Sequence, residues 1–299
     1  MAADPKLRAW LQLVRPPNLL TVPGDPLAGA CLLLAERQQG WPMAALPATA
    51  VALALYAAGL IINDCFDLEE DRQQRPDRPL PSGQVRPAHA AAAAACLVVL
   101  ALVLAATINA ATCAIAAILT GAILLYNGFL KGIPVAGPLM MGLCRGLSLH
   151  LGSAAVSGSL SLTGLRAAAA LVLTLYVAAV TAVADREHTT VVLGPNRWLP
   201  LVAVLPLPAI LLLGTRGWAL LGLVPAAVAV GSVVHLGSVL RGRPAPKLVQ
   251  ASIGRYIRLL LLVQAALCFV EWPAGVVIAL LLLLLWPASG RLGRLYYAS

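Results

Sequence analysis

Mostly apolar stretches recur along the chain, separated by short clusters of charge, proline and glycine. They fall near 18–36, 43–63, 88–108, 110–128, 134–157, 165–185, 198–214, 218–240, 253–271 and 273–289. Each is close to the roughly 20 apolar residues that a helix needs to cross a bilayer. Arg255 and Arg258 delay the expected start of the ninth stretch. Trp272-Pro273 either divides the last two stretches or kinks one long helix. The pattern therefore predicts an all-α fold: a polytopic transmembrane bundle of nine or ten helices, forming one membrane domain over residues 1–299.

Composition supports this reading. The chain is 60% hydrophobic and only 11% charged, whereas about a quarter of an average soluble chain is charged. The formal charge of +9 sits between apolar stretches and forms no basic stripe, so no nucleic-acid partner is expected. Topology accounts for it better. With the N-terminus inside, 17 of the 21 Lys and Arg residues lie on the cytoplasmic side; the others are Arg37, Arg166 and Arg216 outside and Arg145 within the fifth stretch. The expected location is a membrane of the cell inner membrane type, with the N-terminus and the acidic loops at 63–86 and 185–197 cytoplasmic. Six cysteines are scattered singly without CxxC pairs or metal-ligand spacing. No cleavable signal is evident at the start. The alanine tract between His89 and Cys96 reads as helix packing.

The chemistry concentrates where the second stretch ends, in Asn63-Asp64-Cys65-Phe66-Asp67-Leu68-Glu69-Glu70-Asp71-Arg72. If one helix continues through it, spacings of three and four place Asn63, Asp64, Asp67 and Asp71 on one face. Carboxylates so placed repel unless a cation lies between them. Hard oxygens suit Mg²⁺, which takes one or two carboxylates and completes its shell with water and phosphates. The proline-rich loop that follows carries Arg72, Arg75 and Arg78 within reach of phosphate oxygens. The alternative is an ion-pair network between these acids and arginines. Acids at a helix C-terminus would oppose the helix dipole, which argues against a purely stabilising role.

Asn63-Asp64-x-x-Asp67-x-x-x-Asp71 followed by Arg75-Pro-Asp-Arg78-Pro-Leu-Pro-Ser-Gly83 resembles the first Asp-rich motif of the UbiA superfamily of membrane prenyltransferases. Arg15-Pro-Pro-Asn18, Tyr56-Ala-Ala-Gly59 and Tyr126-Asn-Gly-Phe-Leu130-Lys131 support the likeness. The resemblance implies a helical bundle with a central cavity open to lipid, two Asp-rich loops at its cytoplasmic mouth, and Mg²⁺ bridging the diphosphate of a polyprenyl donor. Asn63, Asp64, Asp67, Asp71 and Asp185 would then hold metal, the four aspartates being the catalytic set. Arg72, Arg78 and Lys131 would neutralise the leaving group, and Asn18 and Asn63 would position the diphosphate. The second motif departs from the family pattern: Asp185 matches, but Thr189 stands where a second aspartate is common, and Glu187 is off the helical face. Asp185-Arg186-Glu187-His188 resembles the UbiA-like proteins called EboC.

Arg145 is a charge inside an apolar stretch, and such a residue marks a cavity or an ion pair. It is assigned either to substrate or to a structural partner on another helix. His150 and His235 read as satisfied core histidines. The resulting expectation is Mg²⁺-dependent transfer of a prenyl group from a prenyl diphosphate to a lipid-soluble hydrophobic or aromatic acceptor, amid membrane lipid. The sequence sets no oligomeric state. The rival is a membrane transporter or binding protein for a phosphorylated lipid, which would bind without forming product.

Overall fold

Alanine and leucine, the residues with the strongest helix propensity, dominate the apolar stretches, and the computed structural model is correspondingly helical. It describes residues 4–37, 43–185, 193–214 and 217–296. Among these, 10 helices or helix assemblies are long and apolar enough to cross a membrane, so the count is ten and not nine. A short amphipathic α1 (Pro5–Val14) and one-turn α2 (Pro16–Leu19) lead into α3 (Gly24–Arg37), α4 (Ala45–Phe66), α5 (Leu68–Gln74), α6 (Pro87–Ile108) and α7 (Ala110–Leu125). A π-helical turn over Tyr126–Leu130 precedes α8 (Ala136–Ser157) and α9 (Gly164–Ala184). Then come α10 (Leu199–Val204), α11 (Leu207–Leu213), α12 (Leu223–Val239), α13 (Pro246–Cys268) and α14 (Ala274–Tyr296).

Two expectations need correction. The ninth span starts at Pro246, not 253, so Arg255 and Arg258 lie well within it and do not delay its start. Proline at the first position of that helix loses no hydrogen bond and sets its start. The Asp-rich segment is also not one uninterrupted helix. α4 ends at Phe66, Asp67 turns, and α5 begins at Leu68. Glu69, Glu70 and Asp71 thus occupy the first turn of a new helix, where acids favour the dipole. The four-residue rungs nevertheless persist, because Asp67 N–H bonds to Asn63 C=O and Asp71 N–H to Asp67 C=O.

Tertiary packing draws the helices together through small residues. A Cβ at Gly152 of α8 would strike the backbone of Pro26 in α3, and one at Gly142 would strike Thr174 of α9. Glycine at these points lets α3, α8 and α9 approach backbone to backbone. α13 is the most enclosed span, with 72% of its apolar window buried, whereas α6 has 17% buried and presents Val99, Leu100 and Val103 outward. That is the pattern of a central helix and a lipid-facing one. Near the acidic end, Ala9 and Leu13 of α1 join Ile61, Leu80, Val85, Ala90 and Ala94 in a separate apolar cluster. It anchors both α1 and the loop 75–86 over the end of the bundle.

Candidate functional site

Each acid of the first motif is brought to its own cation from a different part of the chain. Arg15 Nη2 donates to Asp64 Oδ1 at 2.5 Å. Arg78 Nη1 donates to Asp71 Oδ2 at 2.7 Å and lies 4.0 Å from Asp64 Oδ1. Lys131 Nζ pairs with Asp67 Oδ2, which also accepts from Asn63 Nδ2 at 3.1 Å. Asp64 and Asp71 are nearly buried, and their cations are partly open to solvent.

Local chain chemistry explains how these cations arrive. Arg15 sits between α1 and α2 with φ 46° and ψ 72°. The following Pro16 disfavours the right-handed helical region for Arg15, and a non-glycine residue in the left-handed region costs about 1–2 kcal/mol. From that conformation the guanidinium reaches Asp64. Arg78 is held by its loop: Ser82 Oγ donates to Arg78 C=O at 2.7 Å, and Leu80 and Val85 are buried beneath it. Lys131 follows the π-helical turn, whose wider winding rotates the end of the span toward Asp67.

Below the cluster lies a cavity of ≈ 330 Å³. Arg15, Asn18, Asn63 and Asn127 line its mouth, Tyr56, Tyr126 and Tyr176 its walls, and Leu119, Ile253, Ile257 and Leu260 its apolar interior. Tyr126 lies within electrostatic reach of both Asp67 and Asp185, so the ends of α4 and α9 converge on one mouth. Asp185 caps α9 and is exposed. Arg186, Glu187, His188 and Thr189, on which the shortened second motif and the EboC likeness rest, lie outside the described residues.

Arg145 forms an ion pair with Asp25 of α3, Nε to Oδ2 at 2.9 Å. Its Nη2 donates to the Thr21 carbonyl at 2.8 Å. Gln264 of α13 donates to Asp25 Oδ1 at 2.6 Å and to the same carbonyl at 2.7 Å. The structural alternative for Arg145 is therefore realised, although the residue also borders the cavity, with Tyr56 5.7 Å from its guanidinium carbon. Beside it the buried Ser148 side chain lies against the Asp25 carboxylate. Asn127 Oδ1 at the mouth is buried with no hydrogen-bond partner among the described residues.

Other sequence expectations divide. Arg72 pairs with Glu69 on the exposed face of α5 and does not join the cluster, because its position on α5 turns it away from the mouth. His150 is satisfied as expected, by Ser153 Oγ and the Leu160 carbonyl, each at 3.1 Å. His235 is not a core histidine; it is exposed on a groove between α12, α13 and α14. Arg15 and Asp25 were not singled out as site residues by sequence. The signal for Arg15 was the Arg-Pro-Pro-Asn segment, and that for Asp25 was its being an acid inside an apolar span with Arg145 in another.

Comparison with known proteins gives one consistent answer. Residues 26–252 match the model of the UbiA prenyltransferase family. A digeranylgeranylglyceryl phosphate synthase of Methanopyrus kandleri is 37% identical over 153 residues, covering 50% of this chain and 53% of that one. The protein of that name from Natronomonas pharaonis is 32% identical over 236 residues, covering 74% and 84%. Several of these relatives, the first included, are thus matched over only about half of their length. Among solved structures, a UbiA homolog from Archaeoglobus fulgidus bound to GPP and Mg²⁺ superposes with a TM-score of 0.62 at 19% identity, covering 87% of this chain and 99% of that one. A structure described as digeranylgeranylglyceryl phosphate synthase gives 0.57 at 24% identity, covering 88% and 97%. These structural likenesses establish a shared fold, and the family match and the sequence relatives establish kinship: the chain belongs to the UbiA prenyltransferase family.

Proposed function

We propose that this protein is an Mg²⁺-dependent intramembrane prenyltransferase that moves a prenyl group from a prenyl diphosphate to a lipid acceptor of the prenylated glyceryl phosphate class. The observation that carries the reading is the mouth itself: Asp64, Asp67 and Asp71, each matched to a movable cation, above an apolar cavity. The names of the sequence relatives favour a glyceryl phosphate acceptor over an aromatic one. The excess of cations at this end of the bundle supports a cytoplasmic mouth.

The residues present fit the metal. Hard carboxylate and amide oxygens of Asp64, Asp67, Asp71 and Asn63 gather at the mouth, and although no three metal-binding side chains among the described residues form a ready-made cage, Mg²⁺ ordinarily takes few carboxylates and leaves positions for water and phosphate. Asn63, Asp64, Asp67, Asp71 and Asp185 would hold it. When bound, Mg²⁺ supplies charge neutralisation to the departing diphosphate. The chain's own part follows from its ion pairs. Arg15, Arg78 and Lys131 neutralise the carboxylates while the mouth holds no anion, and a diphosphate gives them a more highly charged partner. They turn from carboxylate to phosphate, freeing acid oxygens as they stabilise the leaving group. The apolar cavity excludes water from the allylic cation, and the tyrosine walls offer π-faces to its charge. Asn127 provides an unmatched polar atom for an acceptor's hydroxyl or headgroup.

The test is product formation. Purified protein with Mg²⁺ receives prenyl diphosphates of several lengths, together with either a singly prenylated glyceryl phosphate or aromatic acids, and products are read by mass spectrometry. A doubly prenylated glyceryl phosphate is expected. A prenylated aromatic product instead overturns the acceptor assignment. Mg²⁺-dependent binding with no product from any acceptor favours the transporter or binding protein.

A further inference from the structure

The central cavity reaches unequal depths on its two sides. Along α4 its lining runs from Asn63 at the mouth to Ala52, 11 residues further in, which at 1.5 Å per residue is about 16 Å. Val22, Ala52 and Leu119 line this deep end, and all three belong to a buried apolar cluster with Leu55, Ile115 and Leu151. The cavity therefore ends there against packed side chains. Along α13 the lining covers only Ile253 to Leu260, about 10 Å. One turn further along that helix, Gln264 reaches across to Asp25 Oδ1 and the Thr21 carbonyl and closes this side with polar groups.

A closed apolar end sorts tails by length. An extended covalent chain advances about 1.2 Å per bond, so an isoprene unit, with about four bonds along its length, takes about 5 Å. The path from Asn63 to Ala52 thus holds about three extended units, or about four when the tail folds against the wall. It stays passable for hydrocarbon where it meets Arg145, because that guanidinium is paired with Asp25 and the Thr21 carbonyl, and the Tyr56 ring lies 5.7 Å from its central carbon. Of the three residues at the deep end, Ala52 has the smallest side chain. Its size decides how far along α4 the path stays open, and a phenyl ring in its place would fill the last part. The cluster behind it is packed as densely as protein interiors generally are, so further tail carbons find no room.

We propose that Ala52, backed by Leu119, is the length gauge of the donor site: it stops the prenyl tail and selects prenyl diphosphates of no more than about four isoprene units. The assignment rests on the prenyl-transfer reading of the mouth and adds to it the residue that discriminates among donors. Ala52 touches the end of the tail and not the reacting atoms, so it sets specificity without taking part in the chemistry.

The test is binding of unreactive thiolodiphosphate analogues to the full chain in detergent with Mg²⁺, read by calorimetry for geranyl, geranylgeranyl and solanesyl tails. Wild type should bind the geranylgeranyl analogue at least about tenfold more tightly than either of the others. Ala52→Phe should weaken the geranylgeranyl analogue at least about tenfold and leave the geranyl analogue within about twofold. Leu119→Ala should do the opposite at the floor and recover at least about fivefold in binding of the solanesyl analogue. This second variant removes atoms, so the gauge remains testable if the phenyl ring prevents folding. Val99→Phe, on the outward face of α6, should change nothing. Equal loss of all three analogues in Ala52→Phe means a merely structural role and overturns the gauge. So does wild-type binding of the solanesyl analogue as tight as that of geranylgeranyl, which would mean that the tail leaves sideways into lipid. The parent diphosphates, assayed for diphosphate release, separate the two readings: length-dependent binding without release contradicts prenyl transfer and leaves the gauge, whereas release indifferent to length in every variant overturns the gauge alone.

Discussion

The two ionic clusters facing the central cavity are built in opposite ways. At the mouth, three aspartates meet three cations from three separate segments, and the cations are partly exposed. Deeper in, Asp25 and Arg145 form one pair, wholly enclosed and pinned by Gln264 and the Thr21 carbonyl. Ion pairs in contact with water are weak and exchangeable, whereas an enclosed pair is costly to break because the remaining charge stays desolvated. On the proposed function the mouth acts as a switchable charge reservoir, whereas the inner pair is a brace joining α3, α8 and α13.

The brace should give the largest effect. Arg145→Leu leaves Asp25 buried without its cation, and a loss of about 3–5 kcal/mol is expected, read as a drop in the thermal or denaturant midpoint in detergent. Arg145→Leu combined with Asp25→Leu should recover much of it. A small effect of the single variant would break the distinction between the clusters. Lys131→Met at the mouth should do the reverse, lowering the rate of diphosphate release by about 10²-fold with little change in the midpoint.

These two clusters were unequally legible in sequence. The acids of the mouth lie within nine residues, so helical spacing alone grouped them. The cations were harder. Arg15 meets Asp64 across 49 positions, and only the folded chain brings α1 over the end of α4. Arg72, nearest in sequence to the acids, turns outward to Glu69, because adjacency along a helix does not place two side chains on one face. The brace shows the same limit, since Arg145 demanded a partner but nothing local identified Asp25. The spans themselves are legible within a few residues, except α13, where the two arginines move the expected start from Pro246 to 253. Hydropathy averages over a window and cannot separate an arginine beyond a span from one facing a groove within it.

Smaller effects sharpen the comparison. Gly152→Val forces the backbones of α3 and α8 apart beside the brace, and a cost of about 1–3 kcal/mol is expected, again read from the unfolding midpoint. Arg72→Ala should cost less than about 1 kcal/mol and leave diphosphate release near wild type. A large activity loss there would return Arg72 to the diphosphate site.

The most direct test of the central claim is Mg²⁺-dependent release of diphosphate from a prenyl diphosphate by wild type and by Asp67→Asn, titrated with Mg²⁺ and accompanied by an unfolding curve for each. The account predicts release by wild type that rises with Mg²⁺, and a variant that is folded but at least about 10²-fold slower. A folded Asp67→Asn protein that releases diphosphate at the wild-type rate would contradict it.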